Sequence, residues 1–133
     1  IACHPRLKIV YGHFLAKEHT CRNCGRRHVR HEEKKTDVNI ACRLLTDAMD
    51  NRFDVALLMS SDSDLVPPVR IVRNRWPTKI VVAVFPPRRR SDELRRVRNG
   101  QKWISEADLR QCQLPESVPL ARGRVASRPS AWT

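Results

Sequence analysis

Glu33 to Leu65 reads EKKTDVNIACRLLTDAMDNRFDVALLMSSDSDL, and this stretch decides the fold. Thr36 is a residue type that caps helices, Val38, Ala41, Leu45 and Ala48 recur at helical spacing, and Asp50-Asn51 supplies a stop, so a helix is predicted here. Asp54 to Ser60, DVALLMS, follows as an uninterrupted apolar run of strand length and reads as a buried strand. It ends abruptly in Ser60-Ser61-Asp62-Ser63-Asp64, which puts two carboxylates where the strand emerges. In an open α/β sheet, ligands bind outside the carboxyl ends of the strands.

Asp37 joins this pair by spacing. From the first turn of the helix it lies above Ala41, Leu44 and Ala48, beside the face that packs on the sheet. Asp37, Asp62 and Asp64 can therefore share one crevice, and such a cluster repels itself unless protons or a divalent cation neutralise it. Mg²⁺ and Mn²⁺ are the hard cations that prefer oxygen ligands. Spacing alone leaves a blander reading open, in which Asp37 complements the helix N-terminus and Asp62 and Asp64 are turn residues opening the next helix.

Working outward, the chain has 133 residues, enough for one domain with a core. Its 26 Lys and Arg against 14 Asp and Glu give a formal charge of +12, which favours a polyanionic partner, nucleic acid first. A generally basic, soluble surface is the alternative. No apolar run approaches the roughly 20 residues needed to cross a bilayer, and no signal peptide opens the chain, so it reads as intracellular, in the cytoplasm, with no membrane partner. It begins at Ile1 rather than Met, which reads as a fragment or a processed product.

Before the deciding stretch, Ile1 to Arg6 reads as a helix end and a turn around Pro5, and Leu7 to Leu15, LKIVYGHFL, as a strand. Lys17 to Lys35 reads as a long polar connection carrying HTCRNCGRRHVRH. Cys21-x-x-Cys24-Gly25 is a turn that lets two thiolates reach one Zn²⁺, with His19, His28 and His31 as candidates to complete a structural site. The alternatives are a reduced, metal-free pair or a redox C-x-x-C, and the latter lacks the strand-to-helix setting such motifs need. Five cysteines, Cys3, Cys21, Cys24, Cys42 and Cys112, are odd in number and unevenly spaced, which argues against a disulfide scaffold, and Cys42 reads as a buried helix residue. Arg22, Arg26, Arg27, Arg30, Lys34 and Lys35 make this segment strongly basic.

After Asp64, Pro67 and Pro68 are tolerable only in a first helical turn, so a helix starts there, with Leu65, Val69, Val72 and Trp76 as its buried stripe. Lys79 to Phe85, KIVVAVF, is a second buried strand. Pro86-Pro87-Arg88-Arg89-Arg90 is its exit loop, and Ser91 caps the helix that follows. Lys102 to Ile104 reads as a short edge strand and Ser105 to Arg110 as a helical turn. From Pro115 to Thr133 the chain turns to Pro, Ser, Ala, Gly and Arg without periodicity and reads as a disordered basic tail behind a domain of residues 1–114. Alternating strands and helices predict an α/β fold with a mainly parallel sheet, three-layer and Rossmann-like. No G-x-G-x-x-G is present, so a dinucleotide site is not expected.

Glu32-Glu33-Lys34-Lys35-Thr36-Asp37-Val38 and Ser60-Ser61-Asp62-Ser63-Asp64-Leu65-Val66-Pro67 resemble, in order, the E-E-K-x-x-D-V and S-G-D-S-D-[LF]-V-P patterns of NYN domains of the LabA-like group, within the PIN-like nuclease superfamily. The resemblance runs over roughly residues 7 to 115. Ser61 stands where that pattern has Gly, and the family's first strand with its D-x-x-N motif is not found, which implies a truncated N-terminus. The resemblance implies metal-dependent hydrolysis of RNA. Asp37, Asp62 and Asp64 would then hold Mg²⁺ or Mn²⁺, Lys34, Arg88, Arg89, Arg90 and Ser91 would position single-stranded RNA, and Glu33 would be a further ligand or would orient Lys34. A non-catalytic nucleic-acid-binding or adaptor module, and a purely structural interaction domain, are the competing expectations.

Overall fold

The structure, a computed structural model, describes residues 7–130. The turn expected around Pro5, and Cys3, lie outside the described residues. A hairpin of β1 (His13–Thr20) and β2 (Arg27–Lys34) leads into α1 (Thr36–Met49), then β3 (Val55–Met59), a single 3₁₀ turn (Ser63–Leu65) and α2 (Val66–Arg75). There follow β4 (Ile80–Phe85), α3 (Asp92–Val97), β5 (Gly100–Trp103), α4 (Glu106–Gln111), β6 (Ser117–Pro119) and β7 (Val125–Ser127).

The central sheet is parallel, in the order β3-β4-β5, with Val55 opposite Ile80 and Val82 opposite Gly100. Parallel neighbours need crossovers, and α2 and α3 supply them. The core forms where these helices meet β4: Leu65, Val69, Val72, Val81, Phe85 and Leu94 are fully buried, and Trp76 packs against them as part of the expected stripe. At the foot of β4 the ammonium of Lys79 is buried, donating to Asn51 Oδ1 at 2.6 Å and to the Phe53 carbonyl at 2.7 Å. One side chain thereby ties the turn after α1 to the start of the second strand.

Sequence readings are corrected at four places: α1, β3, the N-terminal segment and the tail. Ala41, Leu45 and Ala48 of the expected α1 stripe pack on the core, joined by Ile40 and Leu44; Val38 is 64% exposed and Cys42 is exposed, because position 42 sits about 200° around the helix from Leu44. Thr36 is the first helical residue rather than the cap. Lys35 takes the cap place with a left-handed φ of 80°, and the Thr36 amide donates to Glu33 Oε1 at 3.2 Å.

The second correction concerns β3, which is not buried on both faces. Leu58 is buried and Ala56 partly so, but Val55, Leu57 and Met59 are exposed, and among the described residues no strand pairs with the outer edge. Continuous apolar character reads as two-sided burial only when both faces are covered.

The third lies upstream. Instead of a strand over Leu7–Leu15 and a long connection, residues 13–34 form an antiparallel hairpin of their own, with His19 opposite His28 and His13 opposite Lys34. Its tip is Cys21 to Arg26, closed by Gly25 N to Cys21 O and Cys21 N to Arg26 O, both 2.9 Å, with Gly25 at φ 67°. Gly12 lies against the end of β2: a Cβ there would displace the Glu33 carboxylate and the Thr36 hydroxyl and stand 3.1 Å from the Lys34 carbonyl.

The last is the tail. Residues 117–127 form a small hairpin, β6 against β7, turned through Arg122 and Gly123 at positive φ and held by the Arg128 amide on the Glu116 carbonyl at 2.8 Å. Ser91 caps α3 as expected, the helical turn expected from Ser105 is α4 with Ser105 as its cap, and β5 is the edge strand.

Candidate functional site

Ser60 to Asp64 leaves the carboxyl end of β3 as a loop closed by its own hydrogen bonds. The Asp62 amide donates to Ser60 Oγ at 3.0 Å, and the Asp64 amide donates to Asp62 Oδ1 at 2.9 Å. Asp62 thus caps the 3₁₀ turn with one carboxylate oxygen, as the blander reading expected, while its second oxygen has no part in that cap. α2 follows at once, with proline in its first turn.

Asp37 stands in the first turn of α1 and is half-buried. Its carboxyl is held above the usual range, first by burial and then by the negative charges of Asp62, Glu33 and Asp64. The three expected acids therefore lie in one electrostatic neighbourhood, with Glu33 as a fourth. A donor set of carboxylate oxygens whose mutual repulsion a cation relieves fits Mg²⁺ or Mn²⁺. The set is not a closed cage: among the described residues, no three His, Cys, Asp or Glu side chains are grouped closely enough to hold a metal ion.

The basic residues divide. Lys34 Nζ pairs with Glu32 Oε2 at 3.0 Å and Lys17 Nζ with the same oxygen at 2.8 Å; these two cations, Lys17 first, hold the Glu32 carboxyl down to about 2. Glu33 accepts from Thr36 and does not orient Lys34. Arg88 reaches Glu106 at 2.7 Å and Arg90 approaches Asp92 at 3.9 Å. Arg89 lines a cavity of about 460 Å³ with Ser60, Ser61, Asp62, Ser63 and Pro86, between the carboxyl ends of β3 and β4. Ser91 is buried, and its Oγ accepts from the Leu94 amide at 3.2 Å. Sequence reasoning passed over Ser61, whose Oγ is buried with no hydrogen-bond partner. Its departure from the Gly of the resembled motif was the available signal.

Among the described residues, the expected zinc ligands do not gather into a group of three or more. His19 and His28 stack across the hairpin with ring centroids 5.9 Å apart, but His31 points to the other face of the ladder, opposite Ala16. Cys21 and Cys24 are free thiols. The Cys21 thiol is pushed down by hydrogen bonds from the Cys24 and Asn23 amides and from the Cys24 thiol.

A parallel sheet flanked by helices, with carboxylates gathered at the end of β3, is a mixed α/β arrangement consistent with the PIN-like fold. The NYN domain family matches residues 10–103, and the chain belongs to it. NYN domains fall within a nuclease-like superfamily. A similar protein is the 6-hydroxy-3-succinoylpyridine 3-monooxygenase HspA of Pseudomonas putida, 28% identical over 105 residues that cover 76% of this chain and 33% of that protein. A solved protein of unknown function from Vibrio parahaemolyticus has a similar fold, with a TM-score of 0.50 and 24% identity over 68% of this chain and 51% of that one. The chain thus spans a third of the length of the first and about half of the second.

Proposed function

We propose that this NYN domain is a metal-dependent ribonuclease acting on single-stranded RNA in the cytoplasm. The observation that carries the reading is Asp37, a half-buried carboxyl raised by burial and then by the charges of Asp62, Glu33 and Asp64, of which Asp62 lines a cavity with Arg89. Asp37, Asp62 and Asp64 would hold Mg²⁺ or Mn²⁺. Such an ion, when bound, lowers the pKa of a water and stabilises charge developing on phosphate oxygens. Arg89 binds a phosphate beside the acids, and the hydrogen-bonded Ser60–Asp64 loop keeps Asp62 and Asp64 oriented as the substrate enters. Lys34 and Arg90, already near carboxylates, contribute to the basic rim. We extend the fold reading to a three-layer, Rossmann-like arrangement, because Val55, Leu57 and Met59 present an apolar face that a further layer would bury.

The second reading is a nucleic-acid-binding module without catalysis, favoured by the acids not closing into a three-ligand set. The reaction named for the Pseudomonas putida relative belongs to a protein of which this chain spans 33%.

Labelled single-stranded RNA incubated with the protein in Mn²⁺, Mg²⁺ or chelator, together with calorimetric titration of Mn²⁺, tests the proposal. Cleavage that requires the cation and disappears in Asp62→Asn and Asp64→Asn, with weakened Mn²⁺ binding, is expected. Unchanged Mn²⁺ affinity in both variants would sink the metal site, and cation and RNA binding without cleavage would leave the second reading.

A further inference from the structure

We propose that the cavity between the carboxyl ends of β3 and β4 is a phosphate subsite, in which the Arg89 guanidinium supplies charge and the Ser61 hydroxyl a hydrogen bond. This deepens the nucleic-acid reading above and rests on it.

The walls are two loops, Ser60 to Ser63 on one side and Pro86 with Arg89 on the other. Their chemistry is weighted toward donors. Ser60 Oγ already accepts from the Asp62 amide, so its proton is left to give. Ser61 Oγ is buried and unpaired, and leaving a buried hydroxyl unsatisfied costs stability unless a ligand recovers it. A serine hydroxyl has three staggered positions to choose from, so it can meet an oxygen without backbone movement. Arg89 adds a planar fork of donors matched to two phosphate oxygens. On the acceptor side, Asp62 Oδ1 is taken by the Asp64 amide.

A small anion with several acceptor oxygens matches that balance. The Asp62 oxygen outside the cap is the remaining anionic acceptor of the lining, set against the Arg89 guanidinium, and a sugar hydroxyl would bring donors where hydroxyl donors are already in excess. Both loops are set in advance. The Arg89 amide closes on the Pro86 carbonyl at 3.3 Å, and Arg88, third in that turn, adopts φ 60°, where glycine or asparagine is the usual occupant. Strain of this kind persists where the surroundings enforce it, and it clusters at ligand clamps. Its result is a division of labour, with Arg88 paired to Glu106 and Arg89 on the cavity wall.

The test uses the whole chain and inorganic phosphate, with divalent cations chelated, followed by amide chemical shifts and calorimetry. Saturable shifts confined to residues 60–64 and 86–90 are expected. Arg89→Ala should remove them, and Ser61→Ala and Ser61→Gly should each weaken phosphate about 3- to 10-fold. Phosphate that binds elsewhere, or equally well to Arg89→Ala, overturns the subsite. Single-stranded RNA with a 5′-phosphate and with a 5′-hydroxyl then separates the sources. If Arg89→Ala weakens only the phosphorylated strand, the group is a terminal monoester; if it weakens both alike, it is an internal diester; if it weakens neither, the proposal fails. Because phosphate is titrated without metal, the subsite can stand while the nuclease reading falls, or fall while Mn²⁺-dependent cleavage stands.

Discussion

Arg88 Nη2 lies 2.7 Å from Glu106 Oε1, so of three consecutive arginines the first is turned toward α4 and the second toward the cavity beside Asp62. An exposed pair of this kind is worth little to stability. It does separate the two residues functionally. Arg89→Ala should flatten the plot of log affinity against log salt for single-stranded RNA by about 0.7, the value of one phosphate contact, whereas Arg88→Ala should leave the slope nearly unchanged. Equal slopes for wild type and Arg89→Ala would remove this loop from the interface.

The acids make a pH prediction of opposite sign to the hairpin's. Asp37 is raised, so the folded state binds its proton more tightly than the unfolded chain does; that contribution is present at low pH and is lost as pH rises through the raised value. Glu32 is depressed from 4.5 to about 2, so its contribution is present above the ordinary range and is lost as pH falls toward 2. With metal chelated, Asp37→Asn should be more stable than wild type near neutral pH and equal to it in acid. Glu32→Gln should show the reverse ordering, destabilised near neutral and converging in acid. Urea melts across pH decide both.

Ser91 was expected to meet substrate, yet its Oγ is engaged as the cap of α3. Ser91→Ala should therefore cost about 1 kcal/mol of stability and Ser91→Thr much less. RNA affinity should be the same in both, measured where each variant is fully folded. A fall in affinity out of proportion to stability would restore Ser91 to the binding surface.

Cys21 has its thiolate favoured by the amides of Asn23 and Cys24. Limited alkylation with iodoacetamide near neutral pH, read by mass spectrometry, should modify Cys21 ahead of Cys42 and Cys112. Unfolding in urea at the same pH before labelling should abolish the preference, since the hairpin tip that creates it is then gone. A folded protein that labels all three at one rate would mean that these hydrogen bonds do not form in solution.

Much of the fold around the candidate site was legible because it is built from local signals. The KIVVAVF run, the prolines that can only open a helix, and the SSDSD exit from β3 each declare themselves within a few residues. The N-terminal hairpin did not, because HFLAKEHT and RHVRHEEK carry polar residues on both faces and so show no burial period. The C-terminal hairpin turns on Arg122, a residue type that gives no hint of its positive φ. Nor does the order Arg88-Arg89-Arg90 reveal that Glu106, in another helix, removes the first from the cavity. Pairings set by tertiary neighbours are invisible to spacing.

The outer edge of β3 carries a consequence for handling the protein. Val55, Leu57 and Met59 lie along a strand with no described partner on that side, which is a template for edge-to-edge association. A charge of +12 holds copies apart at low ionic strength. Screening shortens that repulsion, with a Debye length of about 10 Å at 0.1 M and 3 Å at 1 M. On the proposed reading, the colloidal state of the sample and its hold on RNA would move together along one axis: the salt that loosens phosphate contacts also lets sheet edges meet, so light scattering should rise over the same range in which RNA is released.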